Sequence, residues 1–165
     1  MTYSIVARDK ETGEFGVAVQ SHYFQVGPVV PWALAGVGAV ATQSQVNVSY
    51  GPVGLELLRA GYTAEQALKA LTAGDAQPEV RQAAIVDAAG NVAVHTGSKC
   101  IPAAGHMAGE GFSCQEIVAV GKSHPHYFFE TIPMAHAVAW SLAGAEIRQF
   151  QVNAIRVPVA GGVSD

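Results

Sequence analysis

The chain has 165 residues, of which 50% are hydrophobic and only 13% are Asp, Glu, Lys or Arg. This length suits one ordinary domain with its own core, and the net charge of −4 offers no basic surface for nucleic acid. Charged residues typically make up about 25% of a globular domain. We therefore expect part of the surface to be covered by a second copy of the chain in a homo-oligomer.

The sequence shows no membrane or export signal. The longest apolar stretch, residues 26–41, is interrupted by Gly and Pro and is shorter than the roughly 20 continuous residues that a spanning helix requires. Charged residues begin at Arg8, where a secretory signal would have an apolar core. These features predict a cytoplasmic protein with no membrane partner. In a reducing compartment, Cys100 and Cys114 are expected to be two free, small and buried thiols.

Strand and helix patterns occur in blocks along the chain. The predicted strands share short apolar or alternating runs bounded by polar turns, and they cover residues 3–7, 15–19, 29–34, 37–42, 82–86 and 92–96. One predicted helix runs from Pro52 to Gly61, and a second follows Thr63, which has capping-box spacing with Gln66. The strands at 29–34 and 37–42 are expected to be buried on both faces. The order ββββααββ excludes a doubly wound parallel sheet and predicts an α+β fold with helices packed on antiparallel sheet.

The segment after Gln115 follows a different pattern. Pro125 and Pro133 divide its first part, residues 134–150 have helical spacing, and residues 154–159 predict a short final strand. We therefore predict a core at residues 1–115 and a C-terminal segment at residues 116–165, which adds a helix and a strand to the same domain.

Thr2 is the candidate nucleophile, because removal of Met1 would make it the N-terminal residue. Its hydroxyl would supply the attacking oxygen, and its own α-amine, with an ordinary pKa of about 7.7–8.0, would accept the hydroxyl proton. This is the N-terminal threonine variant of the catalytic triad. Threonine is also a common second residue, so its position alone does not establish this role.

Other reactive side chains predict neither a serine triad nor a metal site. Ser21 and His22 are neighbours on a predicted strand and point to opposite faces, so they do not share a proton. Among six histidines, only His124 and His126 lie close together, and a zinc site needs a third ligand. The chain has no HExxH or CxxC pattern. No metal or other cofactor is predicted.

Five strings of residues carry a resemblance to a known family. They are TYSIVARD (2–9), QSHYF (20–24), GVGAVATQ (36–43), NVSYGP (47–52) and HTGSKCI (95–101). In this order they resemble the bacterial domain-of-unknown-function 1028 family, which is grouped with the N-terminal nucleophile (Ntn) hydrolases. The resemblance implies an αββα sandwich, in which two antiparallel sheets lie between two helical layers. It ends at Gln115, so it does not supply the second helical layer; the tail is either a divergent replacement or the product of a reading-frame change.

The resemblance also implies an activity. Thr2 matches the nucleophile position and would cleave an amide bond in a small-molecule or peptide-like substrate through an acyl-enzyme. Polar side chains near the strand ends are the candidates for binding the substrate or the oxyanion, namely Ser21, His22, Thr42, Gln43 and Asn47. Such residues can equally cap a strand. The alternative function is a non-catalytic relative that forms oligomers or binds a small ligand, as expected if Met1 is retained and blocks the amine.

Overall fold

The computed structural model describes residues 2–21, 23–102, 104–115 and 153–157. The strands within these ranges are β1 (Thr2–Arg8), β2 (Phe15–Ser21), β3 (Pro31–Leu34), β4 (Gly38–Ser44), β5 (Arg81–Asp87), β6 (Val92–Thr96), β7 (His106–Gly109), β8 (Phe112–Gln115) and β9 (Asn153–Val157). The described helices are α1 (Tyr50–Arg59) and α2 (Ala64–Gly74). None of the helices within these ranges is long and apolar enough to cross a membrane.

The strands form two antiparallel sheets. Sheet A has the order β7-β8-β1-β2-β9, and sheet B has the order β3-β4-β5-β6. In sheet A, Thr2 lies opposite Ser21, and in sheet B, Gln43 lies opposite Gln82. Both helices fall between β4 and β5 in the chain. The predicted α+β class is therefore confirmed.

The two sheets pack face to face through alternate residues of their strands. The side chains in this inter-sheet core are buried, and they include Val6, Phe15, Val17 and Val19 from sheet A and Ala39, Ala41, Ala84 and Val86 from sheet B. Because successive strand residues point to opposite faces, Val40 and Ile85 lie on the other face of sheet B and pack under the helices. The described residues thus build a helical layer, sheet B and sheet A, in that order.

The helices bury one apolar face each against sheet B. Their buried leucines recur at helical spacing, and they are Leu55, Leu58, Leu68 and Leu71. The predicted capping box at the start of α2 is confirmed: Thr63 Oγ1 accepts from the Gln66 backbone N–H at 3.3 Å, and Gln66 Oε1 accepts from the Thr63 N–H at 2.9 Å. Helix α1 begins at Tyr50, so Pro52 lies in its first turn.

The structure differs from the sequence prediction in a few elements. The hairpin of β7 and β8 was not predicted, because its strands, HMAG and FSCQ, contain no β-branched residue; it forms by pairing of β8 with β1. Strand β3 is partly exposed at the edge of sheet B, so the expectation of burial on both faces is wrong for it. The strand predicted at residues 154–159 spans Asn153–Val157. The helix predicted at residues 134–150 lies outside the described residues.

Gly97 packs directly against the backbone of a short 3-10 turn, Pro78–Val80. A Cβ atom on Gly97 would overlap the carbonyl group of Glu79, whereas a Cβ on Gly74 in α2 would meet no atom within 4 Å. We expect Gly97→Ala to lower the free energy of unfolding by about 1–3 kcal/mol, and Gly74→Ala to keep it or raise it by up to about 1 kcal/mol. Urea denaturation of both variants measures this, and equal stabilities would contradict the packing described.

Candidate functional site

One end of the space between the sheets is polar. Most strand positions that face the inter-sheet space are apolar, but at this end they carry hydroxyl or amide side chains. We call these side chains the polar cluster. Its members are Thr2, Ser4, Ser21, Gln43, Gln82, Thr96, Ser113 and Gln115. Their inward direction follows from strand alternation, since Thr2 and Ser4 share a face with Val6 of the inter-sheet core. None of these side chains carries a formal charge.

Thr2 is the first residue of β1, a strand inside sheet A. Its Oγ1 lies 3.0 Å from Ser21 Oγ, directly across the β1–β2 pair. Ser21 Oγ also accepts from the Tyr23 backbone N–H at 3.0 Å. A hydroxyl can both accept and donate, so either oxygen can be the donor in the contact between Thr2 and Ser21. Both hydroxyl residues are half-buried and can be approached from solvent.

Gln43 reaches from sheet B to the backbone of Thr2. Its Nε2 donates to the carbonyl oxygen of Thr2 at 3.0 Å and to Gln82 Oε1 at 2.7 Å. Both amide N–H groups are therefore used, and the two oxygen acceptors determine which way the amide faces. Gln43 is only 2% exposed. Its two hydrogen bonds connect the start of β1 with β4 and β5 of sheet B.

Gln82 extends this connection to the edge of sheet A. Its Nε2 donates to Thr96 Oγ1 at 2.9 Å and to the Gly105 carbonyl oxygen at 3.0 Å. Thr96 Oγ1 lies 2.8 Å from Nδ1 of His106. Partial burial and the neighbouring His95 lower the pKa of His106, which favours the neutral ring that can accept from Thr96.

A second set of hydrogen bonds holds β1 to β8. Ser4 Oγ donates to Gln115 Oε1 at 2.5 Å, and Gln115 Nε2 donates to Ser113 Oγ at 2.9 Å. All three side chains are at most 5% exposed. Buried polar groups that are paired in this way rigidify their surroundings, so the strand that carries Thr2 is held by its neighbour β8 within sheet A and by Gln43 of sheet B.

Thr42 and Asn47 belong to a different group of contacts. Thr42 precedes Gln43 on β4 and therefore faces the helices, where its Oγ1 donates to the Asn47 carbonyl oxygen at 3.3 Å. The Asn47 side chain donates through Nδ2 to Asp75 Oδ2 at 3.1 Å. The structure thus separates these two candidates from the face of sheet B that reaches Thr2.

The contacts of Asp75 centre on Arg81. Arg81 Nε lies 2.9 Å from Asp75 Oδ2, and Arg81 Nη1 donates to the Gln45 carbonyl oxygen at 2.8 Å. The guanidinium holds the pKa of Asp75 well below its usual range. Burial and the nearby Asp75 raise the pKa of Tyr50. This group connects the loop after β4 with the end of α2 and the start of β5.

The structure brings together Thr2, Ser21 and Gln43 from the candidates that the sequence suggested, while His22 lies outside the described residues. The further members of the polar cluster were not suggested, and they are Ser4, Gln82, Thr96, Ser113 and Gln115. The alternation of strand residues could have identified two of them, Ser4 and Gln82. Ser4 lies two residues from Val6, and Gln82 lies two residues from Ala84, so each shares the inward face of an apolar strand position.

Cys100 and Cys114 are free thiols, as predicted. Cys114 is buried, and burial raises its pKa to about 11; Cys100 is only partly buried, so the expectation of a buried thiol is wrong for it. At pH 8 we expect alkylation of Cys114 by iodoacetamide to be at least about 100-fold slower than that of an ordinary cysteine. The variant Cys100→Ser isolates this thiol for mass spectrometry. Alkylation at the rate of free cysteine would contradict the burial of Cys114.

Among the described residues, no three His, Cys, Asp or Glu side chains converge as a metal-binding group. His95 uses Nε2 in a 2.8 Å contact with the Pro78 carbonyl oxygen. His124 and His126 lie outside the described residues. The hydroxyl groups of the polar cluster that are only half-buried belong to Thr2, Ser21 and Thr96.

A family model described as "Family of unknown function (DUF1028)" matches residues 2–132, a range that extends beyond Gln115. Among solved structures, the chain is similar to the crystal structure of protein SPO2555 from Silicibacter pomeroyi, which carries the same family model. The two share 31% sequence identity over 69% of this chain, with a TM-score of 0.66. The match covers 51% of that protein, so this chain spans about half the length of the relative. No curated protein matches the chain.

Proposed function

This chain belongs to DUF1028, a family of unknown function, and we propose that it is an amide-bond hydrolase whose nucleophile is Thr2 as the N-terminal residue. The observation that carries this proposal is the 3.0 Å contact between Thr2 Oγ1 and Ser21 Oγ at the accessible polar end of the inter-sheet space. Gln43 holds the backbone of the same threonine at 3.0 Å. A fixed, solvent-accessible hydroxyl next to a free α-amine combines nucleophile and base in one residue.

The proposed reaction has two halves. In the first, Thr2 Oγ bonds to the carbonyl carbon of the amide while its proton passes to the Thr2 α-amine. The tetrahedral adduct then loses its C–N bond, and the protonated amine gives that proton to the leaving nitrogen. In the second half, water attacks the resulting ester with the amine as base, which releases the acid and restores Thr2. The substrate class is a small-molecule or peptide-like amide.

Ser21 and Gln43 have different roles in this proposal. An oxyanion beside Thr2 needs donors at about 2.7–3.1 Å, and the Ser21 hydroxyl is already within 3.0 Å of the nucleophile. Gln43 has no spare N–H group, because both of its amide hydrogens are donated to other oxygens. Gln43 therefore positions the strand end, and Ser21 is the donor close to the developing charge.

We also propose that the complete fold is the αββα sandwich of the Ntn hydrolases. Three layers in the required order, with the candidate nucleophile first on β1, support this grouping. The remaining helical layer would cover the outer face of sheet A, on which Ile5, Ala18 and Cys114 are buried.

A covalent probe tests the proposed activity. The protein is first analysed by intact mass and N-terminal sequencing, and we expect a chain that begins at Thr2. It is then treated with an electrophilic β-lactone, and peptide mapping is expected to place one acyl group on Thr2. An adduct on another residue would contradict the proposal, and reversible amide binding with no adduct would favour the non-catalytic relative.

A further inference from the structure

Gln43 Oε1 is a buried acceptor beside the candidate nucleophile. Within the described part of the chain, no protein group donates a hydrogen bond to it. The equivalent oxygens of the cluster are paired, because Gln82 Oε1 accepts from Gln43 and Gln115 Oε1 accepts from Ser4. A buried carbonyl oxygen without a donor destabilises the fold. A hydrogen-bond donor next to Gln43 Oε1 would therefore stabilise the protein.

Rotation of the amide would not satisfy this oxygen. Gln43 Nε2 donates to the Thr2 carbonyl oxygen and to Gln82 Oε1. If nitrogen and oxygen exchanged places, the oxygen would face two acceptors and both hydrogen bonds would be lost. The fold therefore fixes Oε1 as an acceptor next to the first residue of β1.

We propose that Gln43 Oε1 accepts a hydrogen bond from the α-amine of Thr2 once Met1 has been removed. The Gln43 amide already lies 3.0 Å from the carbonyl oxygen of Thr2, and the amine nitrogen is bonded to the same Cα that bears this carbonyl group. A free amine has two or three N–H groups, whereas the peptide nitrogen of a chain that keeps Met1 has one. Removal of Met1 thus gives the Thr2 nitrogen additional N–H groups, which can donate to Gln43 Oε1.

The chemistry of an amide oxygen suits this role. A neutral acceptor orients the amine and favours its protonated form less strongly than a charged group would, so the amine can still act as a base. A carboxylate in the same place would hold the amine in its protonated form. Gln43 is then the positioning residue for the Thr2 amine. Only the role of this amine as a base rests on the proposed function; the hydrogen bond does not.

The test measures the pKa of the Thr2 amine in the folded protein without substrate. The chain is released from a cleavable ubiquitin-like fusion so that it begins at Thr2, and a dilute amine-reactive reagent labels it across a pH series. We expect Gln43→Met to lower this pKa by about one, a tenfold loss of proton affinity, and Gln43→Glu to raise it by a similar amount. Thr42→Val is the matched control, because Thr42 precedes Gln43 on β4, is equally buried and faces the helices, where its hydroxyl contacts Asn47; it should leave the pKa unchanged.

Opposite shifts in the two Gln43 variants would not arise from a general loosening of the structure. An unchanged pKa in both variants, or shifts in the same direction, overturns the inference. Both variants lose the two hydrogen bonds that Nε2 donates, so each is first checked for folding by circular dichroism; if only Gln43→Glu folds, the absence of a rise in its pKa overturns the inference. If the pKa shifts but Thr2 is not acylated, the hydrogen bond between Gln43 and the amine is supported and the hydrolase activity is contradicted. If Thr2 is acylated but the pKa does not shift, only the hydrogen bond is contradicted.

Discussion

Thr2→Ala is expected to lower the rate of acylation by an electrophilic amide or lactone by at least about 10³-fold. In a chain that begins at residue 2, this variant keeps the free α-amine and loses the hydroxyl that lies 3.0 Å from Ser21. Thr2→Ser keeps a hydroxyl at the same place and is expected to retain activity within about 10²-fold. Time courses of adduct formation, measured by intact mass, give these rates.

Two further variants separate the polar cluster from the helix side of sheet B. Ser21→Ala removes the hydroxyl next to the nucleophile, and we expect a rate loss of about 10–10²-fold. Thr42→Val changes a fully buried threonine whose hydroxyl contacts Asn47, and we expect the rate to be unchanged. Equal labelling of the natural chain and Thr2→Ala, or a greater loss in Thr42→Val than in Ser21→Ala, would contradict the assignment of the site.

Asp75→Ala is expected to lower the free energy of unfolding by about 3–5 kcal/mol, because it breaks a buried ion pair. The side chains of Arg81 and Asp75 are 16% and 4% exposed, so the guanidinium would be left largely buried without its counter-charge. The matched control is Glu56→Ala, which breaks an ion pair with Arg59 whose side chains are 60% and 63% exposed. That pair is worth at most about 1 kcal/mol. Similar losses in urea denaturation of both variants would contradict the burial of the Asp75 pair.

The same ion pair makes the stability depend on pH. Arg81 lowers the pKa of Asp75 in the folded state below its ordinary value of about 3.9. Because the folded pKa is the lower one, the contribution of Asp75 is present above about pH 5 and is lost as the pH falls through the unfolded and then the folded pKa. The stabilities of the natural chain and Asp75→Ala should therefore converge on acidification. A constant difference down to about pH 2 would contradict this linkage.

Local patterns explain which parts of the fold could be predicted. The hairpin at residues 3–7 and 15–19 and the capping box of α2 depend on neighbours in sequence, such as the polar turn closed by Gly13 and the Thr63–Gln66 spacing. The pairing of β8 with β1 joins residues more than 100 positions apart. No local signal marks β8, since its sequence, FSCQ, has no β-branched residue.

Only part of the candidate site can be predicted from the sequence, because only some of its residues lie in segments with a clear local pattern. Thr2 follows from its position in the chain, and Ser21 and Gln43 lie at or next to the last residue of strands that have clear patterns. The polar cluster needs the strand order and register as well, because Gln82 meets Gln43 only when β5 lies beside β4. The sequence offers Thr42 and Gln43 as candidates together, whereas the structure places them on opposite faces of β4.

The role of the Thr2 amine can be tested with two chains that differ by one residue. Cleavage of the same fusion yields one chain that begins at Met1 and another that begins at Thr2, both with the Thr2 hydroxyl in place. We expect the lactone to acylate Thr2 in the second chain and to leave the first unmodified, since a peptide nitrogen cannot act as the base. Acylation of both chains at the same rate would contradict the N-terminal nucleophile.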